Sequence, residues 1–433
     1  MGIRSGAFWL DLAGATNYRH QPTGQLRVMA TCTRREPAGP SIVNLRTCIA
    51  TGRFPRAGET FVNRHIAHLS GGNTVVLCGR RVGTDTLDKP VFSRLRAALN
   101  PADLALAPWH FWRNHRLYSA PFVPFGRGRA ALERFLQDQR VDAVLAEFGS
   151  QAVSVWPVAR AMGLPVFTFF RGRDASRYLH VPWRVEGYRR MMPHLAGVFA
   201  VSQYLLDNLA AHGLTHANAH VVPSGTDIDS FRPGSKEPGK MLFVGRFVEK
   251  KAPQVVLSAF LGLAERHAGA RLDLIGDGPL LSRCRGQAAA SPHAARVRFL
   301  GHLPPGEVRH HLARASIFAL PAVTGRDGET EGLPSAIQEA MAAGAAVLST
   351  RHAGIPELVI EGQTGCLSAE GDASGFAAAM DRMLASPEMV AAFGQHARQV
   401  AEERLDYRRL YAHVEAVIGE AVARRVPAAG AAP

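Results

Sequence analysis

The chain has 433 residues, of which 47% are hydrophobic and 20% charged, a composition typical of a globular protein with room for two domains. Its five cysteines are odd in number and have no CxxC spacing, which argues against a disulfide framework or a zinc site and favours a reducing compartment. No apolar run reaches the roughly 18 residues of a membrane span. Asp11 interrupts the short apolar stretch near the N-terminus, so we expect no signal peptide.

The net charge of +14 is concentrated in one half of the chain. Residues 1–239 contain 29 Lys+Arg and 16 Asp+Glu, a net charge of +13, whereas residues 240–433 contain 21 and 20, a net charge of +1. This asymmetry predicts that the first half faces a polyanion or an anionic surface.

From residue 41 onward the sequence alternates between strand and helix patterns. Strands are predicted over residues 41–50, 73–78, 141–146, 165–170, 198–201 and 220–222, with helices within 54–69, over 150–163 and from 202. Residues 90–130 are basic and aromatic and contain proline, which predicts an inserted helical or loop region over a cleft. A Gly/Pro/Ser cluster at 223–240 predicts a linker.

After the linker the alternation restarts. Strands are predicted over 241–245, 271–276, 297–301, 316–321 and 346–350, and helices from about 253, up to about 315, over 372–394 and over 404–422. Two sets of βα units predict an α/β protein with two doubly wound, Rossmann-like domains facing a central cleft. The predicted organisation is an N-terminal extension (1–40), a first domain (41–225), a linker (226–240), a second domain (241–395), a C-terminal helix packing back towards the first domain (396–425) and a tail (426–433).

The stretch EGLPSAIQEAMAAG (331–344) predicts a loop that runs into a helix, with Pro334 at the first helical position and Gly344 as the C-cap. Glu331 precedes the helix and Glu339 lies about one turn inside it. The unpaired N–H groups of a helix start can hold a phosphate. The glutamates would repel a phosphate and are better placed to accept hydrogen bonds from hydroxyls. A sugar and a ribose joined by a diphosphate would use all of these groups, although such glutamates can also simply favour the helix dipole or be solvated.

A second candidate segment, GRFVEKKAP (245–253), places Arg246, Lys250 and Lys251 after a strand and before a helix, where open α/β sheets bind ligands. Arginine can bind a diphosphate through two donors and lysine adds a compact charge, whereas the alternative is a solvated basic turn. GDGP (276–279) ends the next strand, and Leu281 stands in place of the third glycine of a dinucleotide fingerprint. This disfavours a dehydrogenase and predicts a tight turn that allows close backbone approach to a ligand.

Taken in order, GRFVEKK, LIGDGP, EGLPSAIQEAMAAG and STRHAGIPELVIEGQTGCL resemble the retaining family 4 glycosyltransferases of the GT-B fold. The resemblance covers nearly all of residues 41–420. The family's signature of two glutamates separated by seven residues fits Glu331 and Glu339. The FPRAGETF loop and the RHAGIPELV segment are most similar to the exopolysaccharide, colanic-acid type branch.

The resemblance implies a role for each matching residue. Arg246 and Lys251 hold the donor diphosphate and steady the leaving group, Glu331 accepts hydrogen bonds from the donor sugar, and Glu339 accepts them from the ribose. Backbone contacts to the donor are expected at Gly245, Gly276, Gly332 and Leu333, and at Gly58, whose loop closes on the diphosphate from the first domain.

Two positions differ from the usual family pattern. Arg171 stands where the family often has histidine, and Ser224 where asparagine is more usual. Arginine cannot act as a base near neutral pH, so Arg171, with Asp174 nearby, is expected on the acceptor side to bind the acceptor or stabilise charge. The leaving phosphate would then take the acceptor proton on the same face, in keeping with the family's retaining mechanism.

No cofactor is expected, and the donor implied by the resemblance is a nucleotide diphosphate sugar, with UDP- or GDP-sugars favoured. Asp227 and Asp229 form a DxD motif in the predicted linker. We interpret them as residues that stabilise a turn, and we expect no required metal. The expected acceptor is a glycan or lipid-linked glycan of bacterial exopolysaccharide or cell-envelope synthesis, and a soluble small-molecule acceptor remains open. A nucleic-acid-binding protein would need base-stacking aromatics in a recognisable module, and the sequence shows none.

The basic and aromatic residues between Trp109 and Arg129 suit an interface with anionic lipid. We therefore expect a cytoplasmic enzyme that binds peripherally to the inner face of the plasma membrane.

Overall fold

Two parallel β-sheets form the framework of this computed structural model, which describes residues 45–55, 60–84, 86–94 and 101–425. The first sheet has the strand order β3-β2-β1-β4-β5-β6-β7. Its strands are β1 (Thr47–Phe54), β2 (Thr74–Arg81), β3 (Val91–Ser93), β4 (Ala143–Glu147), β5 (Val166–Phe170), β6 (Gly197–Ala200) and β7 (Ala219–Val221). The helices along this part of the chain are α1 (Thr60–His68), α2 (Pro101–Tyr118), α3 (Gly126–Asp138), α4 (Gly149–Ala161), α5 (Pro182–Met191) and α6 (Gln203–Ala211).

The second sheet has the order β10-β9-β8-β11-β12-β13. Its strands are β8 (Glu237–Val244), β9 (Arg271–Ile275), β10 (Val297–Gly301), β11 (Ala315–Leu320), β12 (Ala346–Thr350) and β13 (Gly365–Ser368). The helices that follow are α7 (Pro253–Leu263), α8 (Leu281–Ala289), α9 (Pro305–Arg314), α10 (Ser335–Ala342), α11 (Ala373–Ala385), α12 (Pro387–Arg404) and α13 (Tyr407–Arg425).

Both sheets run outwards from their first strand in the 3-2-1-4-5-6 order of the doubly wound fold. The direction of winding reverses between β1 and β4 and again between β8 and β11, and ligands bind at the carboxyl ends of strands beside such a reversal. Central strands such as β5 are buried over their whole length, as expected where helices cover both faces of a parallel sheet. The predicted α/β class with two Rossmann-like sheets is confirmed.

Several boundaries differ from the predictions. β1 continues to Phe54, and β8 begins at Glu237, inside the residues predicted as linker. The predicted helix over 372–394 is divided into α11 and α12 at Ser386, because Pro387 has no N–H to continue a helix and instead suits the start of the next one. The basic, aromatic region at 90–130 contains β3, α2 and α3.

The last helix, α13, contacts α1 and the turn after it, in the first sheet's half of the molecule. The backbone N–H of Ser70 donates to Oε1 of Glu415 at 2.7 Å, and the ring of Tyr411 lies 4.7 Å from that of His65. The chain therefore crosses back after completing the second sheet. Within the described ranges, no helix is both long and apolar enough to span a membrane.

Candidate functional site

The loop between β11 and α10 forms the centre of the candidate site. Glu331 lies in this loop with 8% of its surface exposed, and its backbone N–H donates to Nε2 of His352 at 3.1 Å. α10 starts at Ser335 after Pro334, and no side chain of the described residues caps its first turn. The helix start therefore presents backbone donors next to a buried carboxylate.

Two lysines from the loop after β8 hold the Glu331 carboxylate. Lys250 Nζ lies 3.0 Å from Glu331 Oε1, and Lys251 Nζ lies 3.1 Å from Oε2. Burial alone would raise the pKa of Glu331, but the attraction of the two ammonium groups outweighs it and lowers the pKa to about 2. Burial lowers the pKa of Lys251, while Glu331 opposes that shift. Glu331 is thus a charged acceptor at neutral pH.

Cationic side chains from both halves of the molecule meet carboxylates at this edge. Lys250 also donates to Oε1 of Glu329 at 2.7 Å, and Arg173, from the first sheet's half, donates to Glu329 Oε2 through Nε at 2.9 Å and Nη2 at 2.7 Å. Arg246 is exposed just after β8. Lys250, Lys251 and Arg173 therefore pair with the carboxylates of Glu329 and Glu331, and cationic groups of this kind suit a diphosphate.

Gly245 and Gly276 bring the ends of β8 and β9 into contact. Gly276 has φ of +134°, and a Cβ there would lie 2.0 Å from the carbonyl oxygen of Gly245. Only glycine fits such a position. The two predicted donor-binding glycines thus touch each other beside Arg246.

Glu339 lies on α10, one turn beyond the helix start, and is half-buried. Burial raises its pKa to about 7, although the charges of Arg64 and Arg309 act in the opposite direction. Its neighbour Gln338 accepts from the backbone N–H of Gly225 at 2.9 Å. Glu339 therefore lies near the segment that joins the two sheets and titrates close to neutral pH.

The first sheet's half packs directly on the Glu331 loop. A Cβ at Gly172 would lie 2.5 Å from the carbonyl oxygen of Thr330, and Ser176 Oγ accepts from the N–H of Thr330 at 3.1 Å. A Cβ at Gly332 would lie 2.6 Å from the side chain of Val201. Gly332 and the buried Leu333, both predicted donor-binding positions, thus lie at the contact between the two halves.

Arg171 follows β5 and is held by a buried polar cluster. Its Nη2 donates to Glu147 Oε2 at 2.8 Å, its Nη1 donates to Ser224 Oγ at 2.9 Å, and its guanidinium carbon lies 3.8 Å from the ring centroid of Phe61. Glu147 also contacts Nδ1 of His65. Burial would raise the pKa of Glu147, but His65 and Arg171 outweigh it and lower the pKa to about 2. Nε of Arg171 has no hydrogen-bond partner among the described residues.

Asp174, predicted on the acceptor side, is turned into the protein and is 1% exposed. Its Oδ1 accepts from the N–H of Ser150 and from the hydroxyl of Tyr188, both at 3.2 Å, and burial raises its pKa to about 6. The prediction of acceptor contact is corrected here, because a turn after Arg171 points Asp174 at the start of α4. There it joins α4 to α5. Gly58 lies outside the described residues.

Asp227 and Asp229 form a turn between the sheets. Asp227 Oδ1 accepts from the backbone N–H groups of Asp229 at 3.1 Å and Ser230 at 3.2 Å, and Arg408 lies 2.8 Å from Oδ2 of Asp229. In the described part of the chain, no three His, Cys, Asp or Glu side chains are grouped closely enough to hold a metal ion.

Comparisons with known proteins agree with this geometry. The family model described as "Glycosyltransferase Family 4" matches residues 70–230, and the one described as "Glycosyl transferases group 1" matches residues 226–400. Together the two models match residues 70–400, so both halves of the chain are similar to the glycosyltransferases that these models describe.

Several curated proteins are similar to this chain over part of their length. The chain is 32% identical over 220 residues to the amylovoran biosynthesis glycosyltransferase AmsK of Erwinia amylovora, covering 50% of this chain and 54% of that protein. It is 32% identical over 244 residues to the putative colanic acid biosynthesis glycosyltransferase WcaL of Salmonella typhimurium, covering 55% and 60%. The chain therefore spans little more than half the length of these relatives.

Solved structures share the GT-B fold predicted for this chain. The Anabaena protein HepE in complex with UDP and glucose superposes with a TM-score of 0.68 at 15% identity, covering 86% of this chain and 99% of that one. A sucrose-phosphate synthase from Thermosynechococcus elongatus superposes with a TM-score of 0.68 at 16% identity, covering 88% and 100%. At these identities the likeness concerns the fold alone.

Sequence reasoning missed four members of the site: Glu329, His352, Glu370 and Arg173. Nδ1 of His352 lies 2.7 Å from Glu370 Oε2, and its Nε2 accepts from the N–H of Glu331, so Nδ1 must carry the proton. His352 lies in the RHAGIPELV segment, whose resemblance to the family could have drawn attention to it. Its hydrogen bond with Glu331 could not be predicted, because the two residues are 21 positions apart.

Proposed function

We propose that this chain is a retaining glycosyltransferase that moves a sugar from a nucleotide diphosphate sugar to a glycan or lipid-linked acceptor in bacterial exopolysaccharide or cell-envelope polysaccharide synthesis. The observation that carries the proposal is the pairing of Lys250 and Lys251 with Glu331 at the carboxyl ends of β8 and β11, with Arg246 close enough to Lys251 to act on its charge. We favour UDP- or GDP-sugars as donors, because HepE, which has a similar fold, was solved with UDP and glucose, and a mycobacterial protein 27% identical to this chain is named as GDP-mannose-dependent.

In this proposal the diphosphate lies against Arg246, Lys251 and the N–H groups at the start of α10. Glu339 accepts from the ribose hydroxyls and Glu331 from the sugar hydroxyls, while Gly245, Gly276, Gly332 and Leu333 allow close backbone approach. The bond between the anomeric carbon and the β-phosphate oxygen breaks as the cationic side chains stabilise the charge that develops on that oxygen.

The acceptor oxygen attacks the same face that the phosphate leaves, and the phosphate oxygen takes the acceptor proton. Arg171 cannot accept that proton, because its guanidinium stays charged. Its buried bond to Glu147 fixes the guanidinium, so its proposed role is to stabilise negative charge on the acceptor side. No divalent metal is needed in this scheme, since side-chain cations neutralise the diphosphate.

We also propose that the enzyme binds peripherally to an anionic membrane surface on the cytoplasmic side. Among the described residues, ten large apolar side chains are strongly exposed, and eight of them belong to α2, the loop after it and α5: Leu104, Leu106, Trp109, Phe111, Trp112, Leu117, Phe122 and Trp183. We call these eight residues the apolar face. So many exposed apolar side chains on neighbouring elements mark an interaction surface, and Arg113 and Arg116, which lie over the rings of Trp109 and Trp112, supply positive charge beside them.

The experiment that tests the donor assignment is a thermal stabilisation screen of UDP-, GDP- and dTDP-sugars. A ligand at about 100 times its dissociation constant adds roughly 2.7 kcal/mol to the stability of the folded state. The sugar nucleotide that stabilises the protein is then supplied, with and without EDTA, together with lipid-linked glycan acceptors, and the anomeric configuration of the product is read by NMR. Inversion of configuration would refute the retaining assignment, and loss of transfer in EDTA would refute the metal-free one.

A further inference from the structure

A cavity of about 640 Å³ lies in the first sheet's half of the molecule, bounded by α2, α3, α4 and α5. Its volume is in the range of small-molecule sites. Most of its wall is apolar, including Phe92, Phe125 and Val153. This cavity is separate from the residues to which the donor has been assigned.

The outer rim of the cavity is shared with the apolar face. Leu104, Phe111, Phe122 and Trp183 line the cavity and are also 57%, 40%, 72% and 41% exposed. The cavity therefore opens where we place the membrane surface. A hydrocarbon chain could pass from the bilayer into the cavity without crossing a polar barrier.

Two arginines in the cavity wall form no salt bridge with the described residues, although the charge of Arg184 also acts on the buried carboxyl of Asp174. Arg94 donates from Nη1 to Ser154 Oγ at 2.6 Å and from Nη2 to Gln151 Oε1 at 2.7 Å, so its charge is met by neutral groups alone. The guanidinium carbon of Arg184 lies 3.9 Å from the ring centroid of Tyr178. A cation beside apolar walls is costly unless an anion pairs with it, so the site favours a negatively charged group.

We propose that this cavity binds an amphiphile that consists of a phosphate head group on a hydrocarbon chain, and that this amphiphile is the lipid part of the acceptor. The head group pairs with Arg94 and Arg184, and the chain lies against the aromatic wall. The identification with the acceptor rests on the proposed function. It is supported by Tyr178, which lines the cavity and lies two residues after Ser176, the contact to the Glu331 loop.

The test measures binding of alkyl phosphates to the whole protein by calorimetry, below their critical micelle concentration. Octyl, decyl and dodecyl phosphate should bind progressively tighter, by about fourfold for each CH2 group that becomes buried. Dodecanol and inorganic phosphate should each bind more weakly than dodecyl phosphate. Affinity that is independent of chain length, or equal for dodecyl phosphate and inorganic phosphate, would overturn the proposal.

Two pairs of matched variants locate the site. Arg184→Gln should weaken dodecyl phosphate binding roughly tenfold while leaving dodecanol binding unchanged. Arg189→Gln, on the same helix but exposed and paired with Glu186, should change neither. Ala107→Trp should fill the cavity and weaken both ligands, whereas Ala105→Trp, exposed on the same helix, should weaken neither.

Equal effects within each pair would place binding on the outer surface and contradict the cavity site. The nucleotide sugar is titrated into the same proteins. If no nucleotide sugar binds while dodecyl phosphate still follows this pattern, the proposed transfer reaction fails but the lipid site stands. If nucleotide sugar binds and the pattern is absent, the lipid site alone fails.

Discussion

Arg171 donates a hydrogen bond from Nη1 to Oγ of Ser224 at 2.9 Å. By the sequence resemblance, Arg171 is expected where family 4 glycosyltransferases often have histidine, and Ser224 where they more usually have asparagine. The two side chains are therefore in direct contact, and Ser224 accepts one of the hydrogen bonds that the buried Arg171 can donate. A long arginine reaches the short serine, while its other terminal nitrogen pairs with Glu147.

The Arg171–Glu147 pair should matter for stability. Glu147→Gln removes one member of a fully buried ion pair and should destabilise the fold by about 3–5 kcal/mol in urea denaturation. The pKa of Glu147 is lowered in the folded state, so its contribution is present above about pH 4.5 and is lost as pH falls towards about 2. The difference between wild type and variant should shrink over that window.

Glu133→Gln is the control, because Glu133 forms a half-exposed ion pair with Arg129 within one helix. Such a pair contributes about 0.3–0.5 kcal/mol. Similar losses of unfolding free energy in the two variants would contradict the stabilising role of the buried Arg171–Glu147 pair.

Glu339 predicts a pH dependence of donor binding. Its pKa is raised to about 7 by burial, and the ribose hydroxyls need an ionised carboxylate as acceptor. The affinity for nucleotide sugar should therefore fall as pH drops below about 7, by up to about tenfold per pH unit if one proton is released on binding. Calorimetry from pH 5.5 to 8.5 measures this. Glu339→Gln should bind more weakly and with a flat profile, and a flat profile in wild type would exclude the ribose role.

Features set by neighbouring residues in the sequence could be predicted, whereas contacts between residues far apart along the chain could not. Strands such as β5 are continuous apolar runs, so both sheets could be predicted, and the Lys250–Lys251 loop could be placed because it follows a strand. The bond of Arg171 to Ser224 joins residues 53 positions apart, and that to Glu147 spans 24. Glu147 itself looks like an ordinary strand end. Its charge could be recognised as buried only once α1 and β5 were in place.

Exposure was equally difficult to predict. The aromatic residues of α2 could have formed a core or a surface, since periodicity alone does not say what covers a helix. Asp174 shows the reverse error: a polar residue three positions after Arg171 was expected in the cleft, but the intervening turn directs it inwards to Ser150 and Tyr188.

Glu370 is predicted to position the Glu331 loop through His352. Glu370→Ala removes the acceptor for the His352 Nδ1 proton and should lower kcat by about tenfold to a hundredfold, with a smaller change in donor affinity, because the loop loses its alignment. Glu370→Gln keeps an oxygen acceptor and should restore most of the activity. If the glutamine variant is as impaired as the alanine variant, the hydrogen bond does not explain the effect.

The apolar face is predicted to bind membranes. The protein should sediment with liposomes of rising anionic lipid content at low salt and be released by salt, because each basic residue near the surface contributes about 1 kcal/mol. Trp112→Ser with Phe122→Ser should reduce recovery in the pellet, whereas Val221→Ser, an exposed apolar residue on β7, should not. Equal recovery in the supernatant with neutral and anionic liposomes would favour a soluble acceptor.

The central claim is that Arg246 and Lys251 bind the donor diphosphate. Replacing either by alanine should lower turnover roughly a hundredfold, since each removes charge stabilisation that grows as the diphosphate leaves. Arg271→Ala, at the opposite end of β9, is the matched control and should leave turnover near wild type. Fold stability should change little in Arg246→Ala, because Arg246 is exposed.

The most direct measurement compares the affinities of nucleoside diphosphates and monophosphates, UDP against UMP and GDP against GMP, in wild type and in the Arg246→Ala, Lys251→Ala double variant. We predict that wild type binds one of the diphosphates much more tightly than the corresponding monophosphate, and that the double variant loses this preference. An unchanged preference for the diphosphate in the double variant would contradict the account.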